Sequence, residues 1–382
     1  MSLPVPDRDA QAASDALIQL ISDDIARAGG AISFARFMEL ALYAPRLGYY
    51  TGGSAKLGTA GDFTTAPELT PLFGATLAHV AASFMDQSAS HLMEFGAGTG
   101  KLALDILTEA ARSGIVVESY TIVELSGELR ARQQALLADF PQVRWLEGLP
   151  ERFEGVVLGN EVLDAMPVQL VRRTEQGWRE LVVERGPQGF AFAERAPDAA
   201  LAARIATQIP AAGDLPPDYT TEVHAVGTGF MASLAQMLKA GRGAALLFDY
   251  GFPAHEYYVP PRIGGTLMCH YRHHAHPDPF YLPGLQDITA HVDFTAMALA
   301  AQDAGIEVLG YMSQAAFLIA AGIGELLLRT DPEDARQYLP QSNAVQKLVS
   351  PAEMGELFKV LIVGHGVALP DPLARADRSH RL

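Results

Sequence analysis

The stretch HLMEFGAGTGKLALDIL, residues 91–107, decides the fold of this chain. An apolar run leads to Glu94, and three glycines follow at Gly96, Gly98 and Gly100 before an amphipathic run begins. Glycines after a buried strand let the backbone turn sharply and approach a ligand, while the next helix presents free N–H groups at its start. The pattern predicts a strand, a ligand-binding turn and a helix; taken alone, the glycines also fit a plain tight turn.

The charges around this turn favour one cofactor. A dinucleotide would bring a pyrophosphate, which a carboxylate at Glu94 repels, whereas S-adenosyl-L-methionine brings a cationic sulfonium and an ammonium. The dinucleotide fingerprint also requires a glycine where this chain has Lys101. The next predicted strand ends at Glu124, whose carboxylate is suited to accept hydrogen bonds from two ribose hydroxyls. We therefore predict an S-adenosyl-L-methionine site, with Glu124 as a surface acid being the alternative.

Predicted strands and helices alternate on both sides of the turn, which indicates parallel βαβ units. We expect an α/β fold with a doubly wound, mostly parallel Rossmann-like sheet, an N-terminal helical extension and inserted substrate-binding elements. The expected parts are N-terminal helices and a cofactor-covering loop at 1–75, the core at 76–167 and 221–320, an inserted antiparallel meander plus helix at 168–220, a substrate segment at 251–294, and a mainly helical part at 321–382.

Composition excludes several classes of protein. The 382 residues are 49% apolar and 19% charged, which is typical of a folded globular protein. A formal net charge of -16 argues against nucleic acid as a partner. The single cysteine, Cys269, excludes an intrachain disulfide and suits a reducing compartment. No signal-peptide pattern or membrane span is predicted, so we expect a cytoplasmic location.

A second group of polar residues follows another predicted strand. The segment GNEVLDAMPV, residues 159–168, places Asn160, Glu161 and Asp164 directly after an apolar run. Ligands of open α/β sheets bind beyond the carboxyl ends of the strands, so we expect these residues to face the same crevice as the glycine turn. The alternative is that Asn160 caps a helical turn and Asp164 is a solvated loop residue.

Six segments, taken in order, are GDFTTAPELTPLFG, EFGAGTGKL, VELSGELRARQ, GNEVLDAMPV, FDYG and GTLMCHYRHHAHPDPFYLPGLQDITAHVDF. They resemble the MidA family, which contains the mitochondrial complex I assembly arginine methyltransferase and its bacterial relatives. The resemblance extends from about Ser33 to Phe358 and departs from the family pattern at Ala97 and Val162-Leu163. It implies a class I S-adenosyl-L-methionine-dependent methyltransferase. For the mitochondrial member it implies arginine dimethylation on a core subunit of respiratory complex I.

Arginine methylation accounts for carboxylates in the crevice. A guanidinium stays protonated and must approach a cationic sulfonium, so carboxylates that offset the repulsion and orient the guanidinium plane are needed. We predict that Glu161 and Asp164 grip the substrate. Asp249 and His291 are the candidate acceptors of the proton that is lost, and Asp249 is expected to border the crevice because it ends the fifth predicted strand.

The segment GDFTTAPE, residues 61–68, is expected to fold over the cofactor, with an ordered surface loop as the alternative. The histidines at 270–276 lack the spacing of metal ligands, so no metal is expected. The predicted cofactor-binding residues are Glu94, Gly96, Ala97, Gly98, Gly100, Glu124, Asn160, Phe63, Thr64 and Thr65.

The resemblance also indicates a partner and a compartment. We expect a protein substrate, with a respiratory complex I subunit as the candidate, and the mitochondrial matrix as the location in a eukaryote. A homodimer is compatible with the sequence. The alternatives are a methyltransferase acting on a small molecule or another protein side chain, and a cofactor-binding assembly factor that does not turn over.

Overall fold

The computed structural model describes residues 3–52, 65–210 and 212–382. The helices are α1 Arg8–Arg27, α2 Phe34–Tyr43, α3 Ala66–Leu69, α4 Pro71–Met85, α5 Lys101–Ser113, α6 Gly127–Leu136, α7 Ala199–Gln208, α8 Ala225–Ala240, α9 Ala254–Tyr257, α10 Phe294–Asp303, α11 Gln314–Ala320, α12 Ile323–Leu327, α13 Ala335–Val349 and α14 Asp371–Ala374. The strands are β1 Ala31–Ser33, β2 His91–Phe95, β3 Ser119–Val123, β4 Val143–Leu146, β5 Glu154–Asn160, β6 Gln169–Thr174, β7 Gly177–Gly186, β8 Gly189–Arg195, β9 Thr220–Val223, β10 Arg242–Phe252, β11 Met268–Tyr271, β12 His274–His276, β13 Asp287–Thr289, β14 Val292–Asp293, β15 Glu307–Ser313 and β16 Phe358–His365.

The main sheet has the order β15-β16-β10-β5-β2-β3-β4, with the short β14 paired to β10. Strands β10, β5, β2, β3 and β4 are parallel neighbours, and β16 is antiparallel to both β10 and β15. The chain builds outward from β2 to β4 and then returns to β5 on the other side of β2, which makes the β2–β5 boundary the topological switch point. The predicted doubly wound, mostly parallel sheet is confirmed.

Side chains on the two faces of this sheet enter two different hydrophobic cores. Along β10, Ala244, Leu246 and Phe248 pack with helices α4, α5 and α11, whereas Ala245 and Leu247 pack with α8 and α10. A strand that is buried on both faces has apolar residues at successive positions, which is why apolar and polar residues do not alternate in AALLF, residues 244–248. The buried faces hold the strand ends rigidly in place at the crevice.

Two smaller antiparallel sheets accompany the main one. One has the order β1-β7-β6-β9 with β8 paired to β7, and α1 and α2 pack on it through residues such as Leu17 and Phe37. Its strands β6, β7 and β8 are the predicted meander, while β1 comes from the N-terminal part of the chain. The other sheet, β12-β11-β13, lies in the predicted substrate segment at 251–294, for which the sequence predicts no strands. Each of its strands has only three or four residues, too short for periodicity to reveal.

The sequence pattern also predicts a long helix near Glu222–Lys239, but α8 begins at Ala225, because 220–223 form β9 and pair with β6. The part at 321–382 is predicted to be mainly helical with a last strand at Phe358–Ile362, and the structure has α12, α13 and α14 there together with β16. The predicted strand is present as Phe358–His365 and lies inside the main sheet between β10 and β15. Its antiparallel place in the sheet is set by long-range pairing, which local pattern does not reveal.

Within the residues described, no helix combines the length and the apolar character that crossing a membrane requires.

Candidate active site

A cavity of 1340 Å³ opens at the carboxyl ends of the main-sheet strands. The glycine turn after β2, the end of β3 at Glu124 and the turn after β5 at Glu161 all line it. The segment Gly265–Met268, the three-stranded sheet and the start of α2 form the opposite wall. The structure therefore brings both predicted groups of polar residues, separate in sequence, to one chamber.

The backbone of the glycine turn requires glycine. Gly96, Gly98 and Gly100 have φ values of 61°, 54° and 87°, a region that side chains disfavour. Gly96, Ala97 and Gly98 line the cavity, whereas Gly100 precedes α5 and packs so closely that an added Cβ would lie 3.3 Å from Cγ of Gln133. Gly100 thus shapes the turn from behind without facing the chamber.

Glu94 presents a buried carboxylate beside this turn. It is 2% exposed, and the Tyr120 hydroxyl donates a hydrogen bond of 2.6 Å to its Oε2. Burial raises the pKa of Glu94 to about 7, although the Tyr120 hydrogen bond works in the opposite direction. A cationic ligand would relieve this desolvation cost, so the position is suited to a cation.

Gln133 connects the two cofactor-side elements and was missed at the sequence level. Its Nε2 donates to the carbonyl of Gly98 at 2.9 Å and to Oε2 of Glu124 at 3.0 Å, while its Oε1 accepts from Trp145 Nε1 at 3.0 Å. Oε1 of Glu124 accepts from the N–H of Ser126 at 2.8 Å. Burial raises the pKa of Glu124, and these donors oppose the rise. One fully buried amide therefore sets the spacing between the glycine turn and Glu124.

The turn after β5 is strained and is held from behind. Glu161 has a φ of 54°, which is unusual for a residue with a side chain. The Oδ2 of Asp249 accepts hydrogen bonds from the N–H groups of Val162 (3.1 Å), Leu163 (2.8 Å) and Asp164 (3.3 Å). The strain at Glu161 is therefore offset by a carboxylate that gathers the next three N–H groups.

Asp249 does not line the cavity, contrary to our expectation that it borders the crevice. It is fully buried, and its Oδ1 accepts from the N–H of Tyr250 at 3.0 Å. The reason is that β10 continues to Phe252, so Asp249 is an interior strand residue and not the last one. This geometry supports a role in positioning the turn and does not support Asp249 as the proton acceptor.

Glu161 and Asp164 both face the chamber. The Nδ2 of Asn160 donates to Oε1 of Glu161 at 3.1 Å. Burial, followed by the nearby charge of Asp164, raises the pKa of Glu161 to about 8. Burial also raises the pKa of Asp164, with a hydrogen bond from the Tyr250 hydroxyl opposing it. Two buried carboxyl groups with raised pKa values make this wall suited to a cation.

His291 lines the same chamber, and its buried Nδ1 has no hydrogen-bond partner among the described residues. Burial lowers the pKa of His291 to about 4, and Arg262 adds to the effect. Its ring meets that of Tyr250 edge-on at 5.1 Å between centroids. The imidazole is therefore neutral at physiological pH and able to accept a proton.

Several chamber residues were not assigned from the sequence. The Tyr50 hydroxyl donates to Oδ1 of Asp287 at 3.0 Å, and the rings of Tyr43 and Tyr50 stack at 5.5 Å. Tyr250 completes an aromatic lining around the carboxylates. Tyr43 ends α2, Tyr50 lies in the turn after it and Tyr250 lies on β10, so only tertiary packing brings the three rings to the chamber.

The loop predicted to cover the cofactor is described only in part. Phe63 and Thr64 lie outside the described residues, whereas Thr65 lines the cavity. Glu68 also lines it, and its Oε1 accepts a hydrogen bond of 2.5 Å from the hydroxyl of Thr99 in the glycine turn. Of the predicted histidine cluster, His270 lines the cavity, and the described part of the chain holds no group of three or more acidic, histidine or cysteine side chains arranged for a metal.

A doubly wound sheet with a glycine turn and acidic strand ends at its switch point defines the class of protein: a Rossmann-like S-adenosyl-L-methionine-dependent methyltransferase. The chain belongs to the S-adenosyl-L-methionine-dependent methyltransferase family whose model matches residues 75–312, and the resemblance to the MidA family is confirmed.

Known relatives cover nearly the whole chain. It is 31% identical to the mitochondrial protein arginine methyltransferase NDUFAF7 of Danio rerio, over 88% of this chain and 84% of the relative. Identity to the Homo sapiens protein of the same name is 30%, over 86% and 79% of the two chains. A crystal structure of a Burkholderia thailandensis protein bound to S-adenosyl-homocysteine is 54% identical, covers 100% of both chains and has a TM-score of 0.94.

The residues present fit S-adenosyl-L-methionine, the cofactor of this family. The buried Oδ1 of Asn160, at the cavity, has no hydrogen-bond partner among the described residues and can accept from an ammonium. Glu94 supplies a negative charge, and Glu124 retains acceptor capacity for hydroxyl groups. The turn from Gly96 to Gly98 leaves the backbone open to close approach.

We predict that Gln133→Leu weakens cofactor binding about tenfold, equivalent to about 1.4 kcal/mol. The substitution keeps the apolar packing but removes the donors to Gly98 and Glu124. The dissociation constant of S-adenosyl-homocysteine, measured by isothermal titration calorimetry, is the readout. Gln134→Leu, on the exposed side of the same helix, is the matched control and should bind as wild type. Equal affinities in both variants would contradict a role for the Gln133 amide.

We also predict that cofactor affinity rises with pH between about 6 and about 8. With its pKa near 7, the Glu94 carboxyl is largely neutral at the lower pH, and a cationic ligand binds the ionised form more tightly. Binding should therefore release protons below about pH 7, as calorimetry in buffers of different ionisation enthalpy would reveal. Glu94→Gln removes the titrating group. An unchanged pH profile in that variant would show that another group is responsible.

Proposed function

We propose that this protein methylates a guanidinium nitrogen of an arginine side chain on a partner protein. The observation that carries the proposal is the pair of carboxylates Glu161 and Asp164, whose pKa values are both raised, in the same chamber as the glycine turn. Groups of this kind are costly to keep in a cavity unless a cation binds there.

The electrostatics favour guanidinium as that cation. Two positive charges about 4 Å apart repel by about 4 kcal/mol at an effective dielectric constant near 20, so an arginine cannot approach a sulfonium without compensating negative charge. A carboxylate also forms paired hydrogen bonds with the planar guanidinium, which fixes its orientation toward the methyl group. The tyrosines around the carboxylates offer faces against which such a plane can stack.

We assign each residue one task in this reaction. S-adenosyl-L-methionine supplies the methyl group by breaking its sulfur–methyl bond as a nitrogen–methyl bond forms. Glu161 and Asp164 bind and orient the guanidinium, and Asp249 holds their turn in place. The nitrogen that gains the methyl loses a proton, for which the neutral imidazole of His291 is the acceptor. A pKa of about 4 is sufficient, because the methylated nitrogen is strongly acidic until that proton leaves.

The remaining predicted residues belong to the cofactor side of the proposed site. Glu94 pairs with the cationic part, Glu124 accepts from the ribose hydroxyls, and the backbone of 96–98 passes close to the ligand. Asn160 accepts at the boundary between the two sides, and Thr65 borders it. Gly100 acts through the shape of the turn.

Two observations support a protein as the acceptor. The relatives from Danio rerio and Homo sapiens are named protein arginine methyltransferases and mitochondrial proteins. The MidA resemblance points to a respiratory complex I subunit as the partner, in the cytoplasm of a bacterium or the matrix of a eukaryote. A homodimer remains compatible with this function.

The experiment that tests the proposal is methyl transfer from labelled S-adenosyl-L-methionine into a lysate of cells lacking the protein. We expect label in protein, recovered as methylarginine after acid hydrolysis. Label in small metabolites would overturn the choice of acceptor in favour of a small-molecule methyltransferase. No label despite S-adenosyl-homocysteine binding would favour an assembly factor that does not turn over.

We predict that Glu161→Gln lowers the rate of this transfer at least about 100-fold, because the Glu161 carboxyl can ionise when the guanidinium binds, whereas the amide stays neutral and offsets none of the repulsion between the two cations. The affinity for S-adenosyl-homocysteine should stay within about threefold of wild type, since the cofactor-side residues are unchanged. Initial rates with the labelled cofactor and calorimetric binding are the two measurements.

The matched control is Glu151→Gln, which changes an exposed glutamate away from the chamber. It should transfer methyl groups as wild type does. If Glu161→Gln retained the wild-type rate with intact cofactor binding, Glu161 would have no part in gripping the acceptor.

A further inference from the structure

We propose that Glu222, on β9 of the five-stranded sheet, is a positioning residue for residues 265–268, which form the acceptor-side wall of the chamber. The inference rests on the function proposed above. Glu222 is completely buried and does not line the cavity. Burying a carboxylate is costly unless its oxygens accept hydrogen bonds. The oxygens of Glu222 accept such bonds, and two of the donors belong to the acceptor-side wall.

Both carboxylate oxygens of Glu222 accept hydrogen bonds, and Oε1 contacts the wall itself. Oε1 accepts from the N–H of Thr266 at 2.7 Å and the N–H of Leu267 at 2.9 Å. Oε2 accepts from the hydroxyl of Tyr257 at 2.8 Å and from that of Thr221 at 3.4 Å. Four donors, two of them backbone groups 44 and 45 residues away, thus converge on one side chain.

The backbone at Gly265 is adapted to this contact. Gly265 has a φ of 75°, and an added Cβ would lie 2.5 Å from Oε1 of Glu222, which is closer than atoms can approach. Glycine is therefore required both for the turn and for the room that the carboxylate occupies. The fit is specific to this pair of residues.

The segment that Glu222 holds reaches the reacting groups directly. Gly265, Thr266, Leu267 and Met268 all line the chamber. The hydroxyl of Thr266 accepts a hydrogen bond of 3.0 Å from the N–H of His291, and it also contacts the Tyr257 hydroxyl at 3.0 Å. Glu222 therefore locates Thr266, and Thr266 locates the backbone of the proposed proton acceptor.

Removing the Glu222 carboxylate should loosen residues 265–268 and leave the proposed cofactor-binding residues unchanged. In Glu222→Ala, the N–H groups of Thr266 and Leu267 lose their shared acceptor, and the segment must shift or admit water to satisfy them. In Glu222→Gln, the amide oxygen can still accept from both N–H groups while its NH₂ faces the Tyr257 hydroxyl, which can accept. The two variants separate the geometry of the contact from its charge.

The first measurement follows the backbone and does not depend on the reaction. Hydrogen–deuterium exchange of the peptide covering 263–271 should accelerate at least about tenfold in Glu222→Ala and less than about threefold in Glu222→Gln. Exchange in 94–102 should not change. Glu180→Ala is the control, since Glu180 is an equally buried glutamate of the same sheet that pairs with Arg195 and does not line the chamber.

The second measurement follows acceptor binding, with methylguanidine as the probe added to protein saturated with S-adenosyl-homocysteine. Its dissociation constant should rise at least about tenfold in Glu222→Ala, recover to within about threefold in Glu222→Gln, and stay unchanged in Glu180→Ala. The affinity for S-adenosyl-homocysteine should be the same in all three. Gly265→Ala, which forces the same segment apart, should reproduce the loss if Glu222→Ala does not fold.

The outcomes distinguish the two proposals. If wild type fails to bind methylguanidine, the guanidinium acceptor is wrong, and the exchange data still decide whether Glu222 holds the wall. If exchange accelerates but probe affinity is unchanged, Glu222 is a stability residue only and the positioning role is overturned. Equal exchange in Glu222→Ala and wild type also overturns it.

Discussion

Everything in the active site depends on the reversal of strand order between β2 and β5. These strands are parallel neighbours, but the chain leaves β2 for β3 on one side and, after passing through the five-stranded sheet, continues from β5 to β10 on the other, so the two connections diverge and leave a crevice. The glycine turn and the Glu161 turn are the first residues of those two connections. A cofactor and an acceptor can therefore meet across a gap that the rigid sheet maintains.

The crevice concentrates carboxylates in a low-dielectric setting, and their different partners give them different tasks. Glu94 has one hydroxyl donor and stays close to neutral, which makes it responsive to a cationic ligand. Glu161 is even less favourable as an anion, because the nearby charge of Asp164 adds to the effect of burial. Burial and the charges of Asp164 and Glu161 also raise the pKa of Asp249, but its oxygens accept from four N–H groups, so it acts as part of the scaffold. Under the proposed function, the same functional group binds the cofactor, binds the substrate or supports the structure according to its donors.

The accessory elements enclose the acceptor side, which a doubly wound sheet alone leaves open. Tyr43 and Tyr50 come from α2 and the turn after it, Asp287 from the three-stranded sheet, and Thr266 from a segment held by Glu222 of the five-stranded sheet. In the proposed reaction, main-sheet residues bind the cofactor and inserted residues shape the space for the acceptor. A shared core with specialised insertions is a common route by which one fold serves many substrates.

The sequence by itself determined the main sheet, the glycine turn and the choice of cofactor, because each rests on local periodicity, glycine placement or charge within a short segment. Only the tertiary structure decided which carboxylates face the chamber. From the sequence, Asp249 is a candidate proton acceptor and Glu222 has no assigned role. In the structure, both carboxylates accept hydrogen bonds from N–H groups distant in sequence, 86 residues away for Asp249 and 44 for Glu222. Nothing in the sequence singles out Gln133 either, because its hydrogen bonds to the glycine turn and to Trp145 form only when these elements pack against its helix. Hydrogen-bond partners distant in sequence are set by packing, and packing is the information that local pattern does not contain.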